Sequence, residues 1–195
     1  MSMSGVRHFS DAFLAIILTV MVLELKVPHG VTLDELVPLL PVFLCYVLSF
    51  VYLGIYWTNH HYLLHAGGPI SGAVLWANLH LLFWLSLFPF VTGWMGQNHF
   101  AMLPTVFYGT VLFVAAVAYL LLQRAIITAQ GEGSTVKAAV GSDRKGKLSL
   151  ALYLAGIGAA FLRPWLGQLL FAAGAGLWLV PDPRLERSLR RARAD

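Results

Sequence analysis

The chain has 195 residues, of which 58% are hydrophobic and 11% charged, with a net charge of +4 and a mean hydropathy of +0.74. A water-facing globular surface draws on about 25% charged residues, so this composition excludes a soluble domain and implies an integral membrane protein. The first apolar run follows one basic residue, Arg7, and ends in Glu24-Leu25-Lys26 without a small-residue cleavage site, so no cleavable leader is expected. The single Cys45 lies within an apolar run. It excludes an internal disulfide and reads as a buried small hydrophobe.

Six membrane spans are expected in an all-α, polytopic domain covering residues 1–183. The first is 9–27. Ser10 and Asp11 suit a helix N-terminus, where side-chain oxygens cap free N–H groups and negative charge meets the positive dipole end. Lys26 suits the other end, and Pro28 stops the helix. The second span is 36–58, with Pro38 and Pro41 in its first turns, where the amide proton is dispensable. The third, 71–95, contains Pro89, which predicts a kink. The fourth is 99–123. A polar stretch over 128–147, with Gly131-Glu132-Gly133-Ser134 and Asp143-Arg144-Lys145, reads as a loop. The fifth span, 148–162, and the sixth, 165–181, are short and rich in small residues. They are expected to pack closely through Gly156, Gly158, Gly174 and Gly176. Residues 184–195 form a basic tail.

Orientation follows from Lys and Arg. With six spans, Arg7, Arg124, Lys137, Arg144, Lys145, Lys147, Arg184, Arg187, Arg190, Arg191 and Arg193 share one side, and only Lys26 and Arg163 occupy the other. That asymmetry places both termini in the cytoplasm of a multi-pass protein of the cell membrane. The basic tail is a topology signal in contact with membrane lipids, and no nucleic acid is expected as a partner.

Polar residues inside the spans are informative, because hydrocarbon cannot satisfy them. Trp57-Thr58-Asn59-His60-His61 closes the second span, and Trp76, Asn78 and His80 lie early in the third. Both groups fall at the depth of Arg7, Ser10 and Asp11, so these helix ends can form one hydrogen-bonded knot with Asp11 as its acceptor. Adjacent histidines on a helix point about 100° apart, and no metal-ligand spacing occurs, so no metal site is expected. On the first helix Ile16, Val20 and Leu23, spaced i, i+4, i+7, share a face with Thr19 beside them.

Phe9-Ser10-Asp11, with Ile16 five and Thr19 eight residues after the Asp, resembles the first helix of the transmembrane protein 175 family. That is the endosomal and lysosomal potassium-channel family with its prokaryotic relatives. Leu23-Glu24-Leu25-Lys26-Val27-Pro28 looks like the prokaryotic branch. Trp57-x-x-His60-His61 resembles the family's second-helix signature, and Asn78 and Pro89 sit in a similar context. The family pattern has Arg four residues before the Phe. Here Gly5 holds that place and Arg7 stands two residues before Phe9, a rotation of about 200° around a helix.

The resemblance implies a homotetramer in which four copies of the first helix line a pore favouring potassium over other monovalent cations, with no cofactor beyond the permeant ion. Ile16, Thr19, Val20 and Leu23 would line the axis as a hydrophobic gate, and Glu24 would gather cations at the extracellular mouth. Phe9, Ser10, Asp11, Trp57, His60, His61 and Asn78 would form the supporting motif. The chain lacks a Gly-rich phosphate loop, a Gly-x-Ser-x-Gly elbow and a carboxylate pair in a polar cleft, so an enzyme is not expected. The alternatives are a proton-conducting or proton-coupled transporter using Asp11 and the histidines, and a non-conducting membrane interaction protein.

Overall fold

The structure is a computed structural model that describes residues 3–66 and 68–179. Among these residues the regular structure is helical: α1 (Met3–Leu23), α2 (Leu40–His65), α3 (Gly72–Ser86), α4 (Phe88–Gln97), α5 (Met102–Gln130), α6 (Thr135–Val140), α7 (Arg144–Leu162) and α8 (Pro164–Leu179), with two 3-10 turns before α2. Five stretches are long and apolar enough to cross a membrane: α1, residues 33–65 around α2, α3 with α4, α5, and α7. The sixth expected span falls on α8, whose 16 residues rise about 24 Å. Residues 180 and 181 of that span, and the expected tail 184–195, lie outside the described residues.

The helix ends differ from expectation where tertiary contacts outweigh local signals. α1 begins at Met3 rather than near residue 9, because Val6, Ser10, Leu14, Ile17 and Met21 form a continuous buried stripe. Ser10 and Asp11 therefore lie two turns inside the helix and do not cap it. α1 stops at Leu23, so Glu24 and Lys26 follow it. α2 continues past residue 58 to His65, since Leu63 and Leu64 are buried; Gly68, at φ +127°, and Pro69 then turn the chain. The expected kink is a break between α3 and α4. Pro89, in the first turn of α4, cannot donate to the carbonyl four residues earlier.

The fourth span starts at Met102 rather than 99, because His99 and Phe100 both adopt left-handed backbone, which a helix cannot contain. It runs on to Gln130 rather than 123. Gln130 accepts from the Ser134 hydroxyl at 2.6 Å and from the Val136 amide, and donates to the Ala66 carbonyl, joining α5 to α6 and to the end of α2. The stretch 128–147 is thus not a plain loop: it holds the end of α5, all of α6 and the start of α7, which Asp143 caps by accepting from the Gly146 amide at 3.2 Å.

α5, α7 and α8 close on one another around Phe171. A Cβ added to Gly109 or to Gly156 would collide with its ring, and one added to Gly167 would lie 2.7 Å from the Gly156 carbonyl oxygen. Gly174 is likewise closed, by Tyr153 and Tyr52. The expectation fails for Gly158 and Gly176, which face open space. Each lies two residues from a packed glycine, and two residues swing a side chain about 200° around the helix.

Candidate pore helix and its polar anchor

α1 has two faces with different partners. Ile17 is 5% exposed and Met21 is buried, packed in the core with α2, α3 and α4. One residue earlier, Ile16 is 62% exposed, and Leu23 is 77% exposed at the helix end. Thr19 and Val20 lie open between them. The Thr19 hydroxyl donates to the Ala15 carbonyl at 2.9 Å. Its proton is thereby committed to the helix, and the lone pairs of Oγ1 remain outward. Glu24 follows directly, its carboxylate lying against Gly93 of α4.

In its first half α1 joins α2 and α3 through a buried chain of hydrogen bonds. His60 Nε2 of α2 lies 2.7 Å from Asn78 Oδ1 of α3, and Asn78 Nδ2 donates to Ser10 Oγ of α1 at 3.0 Å. The Ser10 hydroxyl donates onward to the Val6 carbonyl at 2.9 Å. With the Asn78 amide so oriented, His60 carries its proton on Nε2, which leaves Nδ1 as a buried atom without a hydrogen-bond partner. Three helices thus share one polar centre, with Ser10, His60 and Asn78 all buried.

Asp11 is not the hub of this centre. Its side chain is 30% exposed, accepts one bond from Trp57 Nε1 at 3.0 Å, and lies 3.9 Å from His61 Nδ1. The expected single knot is two layers: the buried Ser10–Asn78–His60 chain and a half-exposed Asp11–Trp57–His61 group. The helical period separates them. Ser10 and Asp11 point about 100° apart, as do His60 and His61. Phe9 stays half-exposed and meets Phe13, with ring centres 6.1 Å apart. His80 accepts from Trp84 Nε1 within α3 and joins neither layer.

Arg7, displaced from the family position, has a partner of its own: Nη1 lies 2.7 Å from His65 Nδ1, and His65 stacks on His61 with ring centres 5.7 Å apart. The chain there is helical, and Arg7 points toward the last turn of α2. A further polar centre escaped the sequence reading. Ser49 Oγ lies 2.6 Å from Thr92 Oγ1 and 3.0 Å from the Tyr108 hydroxyl, joining α2, α4 and α5. Single hydroxyls in apolar runs carry no spacing signal; only their opposition in space marks them. Among the described residues no three His, Cys, Asp or Glu side chains are grouped to hold a metal ion.

Comparison with known proteins agrees with this architecture. Residues 6–89, which hold α1 through the α3–α4 break, match the family described as endosomal/lysosomal potassium channel TMEM175. A Chryseobacterium protein named as a potassium channel is 47% identical over 97% of this chain and 99% of its own. A Streptomyces collinus protein, also named as a potassium channel, is 32% identical over half of each chain. The crystal structure of a lysosomal potassium-selective channel TMEM175 homolog from Chamaesiphon minutus superposes with a TM-score of 0.78, covering 91% of this chain and 96% of that one, at 24% identity. The fold is therefore shared even where little sequence is, and these relatives are channels rather than enzymes. With close to full-length correspondence to the Chryseobacterium protein, this multi-pass membrane protein belongs to the TMEM175 family.

Proposed function

We propose that this chain is one subunit of a potassium-conducting channel in the cell membrane, a homotetramer in which α1 of each copy lines the axis and both termini are cytoplasmic. The observation that carries the reading is the unpartnered face of α1. Among the described residues Ile16, Thr19, Val20 and Leu23 are exposed, while Ile17, about 100° away, is buried. Open faces also exist on α2 to α5, α7 and α8, but each carries a large exposed aromatic side chain, among them Phe43, Trp76, Phe90, Phe107, Phe161 and Trp165, suited to lipid and its interface. The open face of α1 from Ala12 to Leu23 presents Ala, Ile, Thr, Val and Leu, which can approach an axis closely.

In such an assembly four Ile16 side chains form an apolar ring that excludes water when close, because an ion there loses hydration without compensation. Thr19 oxygens replace part of that hydration one turn onward. Glu24 carboxylates raise the local cation concentration at the outer mouth. No Thr-Val-Gly-Tyr-Gly loop occurs, so selectivity rests on these side chains rather than on rings of backbone carbonyls. The Ser10–Asn78–His60 chain fixes the rotation of α1 that turns this face outward from its own subunit.

Recordings from planar bilayers test the reading. Ile16→Asn places amides in the ring, so leak current should rise and the preference for potassium over sodium should fall. Ile17→Asn buries an amide among α2, α3 and α4, so yield should fall with no gain of current. Equal behaviour of the two variants in correctly assembled protein would remove α1 from the conduction path.

A further inference from the structure

Away from α1, a cavity of about 940 Å³ opens between α2, α5, α6 and α7. It lies at the ends of the helices that the distribution of Lys and Arg assigns to the cytoplasmic side. Its inner wall is apolar and aromatic, with Ile55, Leu63, Tyr119 and Trp178 among its residues. Two polar side chains on that wall are unusual. Tyr56 and Gln123 are each 7% exposed, both line the cavity, and neither side chain has a hydrogen-bond partner among the described residues. A ligand in the cavity can take hydrogen bonds from both.

The charge around the opening is mostly positive. Arg144 and Lys145, at the first turn of α7, line this cavity, and Lys145 Nζ sits 5.8 Å from the centre of the Trp178 ring. An adjoining cavity of about 340 Å³ shares Gln123 with the first and is lined by Arg124, Lys137 and Lys147. Among the described residues the acidic side chain lining both is Asp143, whose carboxylate already accepts from the Gly146 amide. Five cations therefore converge on a space walled by aromatic and aliphatic side chains, with Gln123 where its two parts meet.

We propose that this cavity binds a phosphate-bearing amphiphile, with an anionic phospholipid as its source. The phosphate is held by Arg144 and Lys145, Gln123 and Tyr56 bond to its ester or glycerol oxygens, and the apolar portion lies along Ile55, Leu63 and Tyr119. Arg and Lys take phosphate oxygens in charge-assisted bonds stronger than neutral ones. Basic pockets between membrane helices on the cytoplasmic side are suited to acidic headgroups. The site is separate from the open face of α1, and its occupancy is read as binding rather than as current.

Native mass spectrometry of the assembled protein in detergent, titrated with phosphatidylglycerol or phosphatidylcholine, tests the assignment. The wild type should retain phosphatidylglycerol in preference to phosphatidylcholine. Arg144→Gln combined with Lys145→Gln should weaken that retention about tenfold or more. Gln123→Leu, which conserves volume, should weaken it less, and Ala139→Trp should abolish it by filling the cavity. Arg163→Gln, at the opposite end of α7, should leave it unchanged. Retention that survives millimolar inorganic phosphate supports the lipid as source. Displacement by inorganic phosphate keeps the phosphate site and overturns the lipid as its source. Equal phosphatidylglycerol retention by the wild type, Gln123→Leu and Ala139→Trp would overturn the proposal altogether.

Discussion

The junction of α1, α2 and α3 and the junction of α5, α7 and α8 are held together by different physics. The first is joined by direction: Ser10, Asn78 and His60 form a chain of bonds whose donors and acceptors fit in one rotational setting of α1. The second is joined by shape: Gly109 and Gly156 leave a recess that the Phe171 ring fills, and Gly167 lets α7 and α8 touch backbone to backbone. Lipid tails are as apolar as leucine, so helices in a bilayer gain little from burying apolar surface against each other. Close packing and interhelical hydrogen bonds take over that role. Packing by shape consumes the faces it joins. A few directional bonds along one helix leave the rest of a face unoccupied, as the pore-lining role proposed for α1 requires.

The largest expected effect strikes the junction built by shape. Gly156→Leu drives a branched side chain into the Phe171 ring, while Tyr52 holds the Phe171 backbone by donating to its carbonyl at 2.5 Å. Overpacking costs about 1–3 kcal/mol where neighbours can yield and more where they cannot, so this variant should lose most of its folded yield. Gly158→Leu, on the same helix but facing open space, should keep it. Size-exclusion profiles and thermal unfolding in detergent read both. If the two behave alike, the helices are not locked by shape, and the contrast between the junctions breaks.

That pair of glycines also marks how far the sequence is legible. Hydropathy shows where the apolar runs lie, and Pro89 marks the break between α3 and α4. The Phe-Ser-Asp and Trp-x-x-His-His residues point to the family and to the meeting of its first helices. The particular glycines that pack are not legible, because Gly156 and Gly158 look equivalent until the rotation of α7 is known. The helix ends mislead for a related reason. Ser10 and Asp11 carry the local chemistry of a cap, but the buried stripe from Val6 to Met21 carries the helix back past them to Met3. The division of the polar cluster follows from helix geometry: neighbouring residues cannot share a direction, so Ser10 and His60 turn inward while Asp11 and His61 stay at the edge.

A smaller effect is expected at the junction built by direction. Asn78→Leu keeps the volume but strands His60 Nε2 and frees Ser10. A buried group left without its bond costs about 1–3 kcal/mol in general, and hydrogen bonds between membrane helices average about 0.6 kcal/mol. The expected loss is therefore about 1 kcal/mol, smaller than that of Gly156→Leu, with the protein still folded. Its distinguishing mark is coupling. In a double-mutant cycle His60→Phe should cost little more once Asn78→Leu is present, because the bond it would break is already gone. Additive losses would mean that the two side chains do not act as one anchor.

The smallest effect on folding is expected at Asp11, the most conspicuous charge of the motif. Its carboxylate is 30% exposed and holds one hydrogen bond, from Trp57, with His61 at 3.9 Å. Exposed and half-exposed pairs of this kind are worth about 0–1 kcal/mol, because water replaces the lost partner. Asp11→Ala should therefore unfold within about 1 kcal/mol of the wild type, and at a higher temperature than Asn78→Leu. Measured beside its conductance, the variant sharpens the comparison. A folded Asp11→Ala subunit with altered current would assign the carboxylate to the assembled channel rather than to the fold of one chain. A loss of stability as large as that of Asn78→Leu would instead make the two polar layers a single anchor, and Asp11 a part of what sets the rotation of α1.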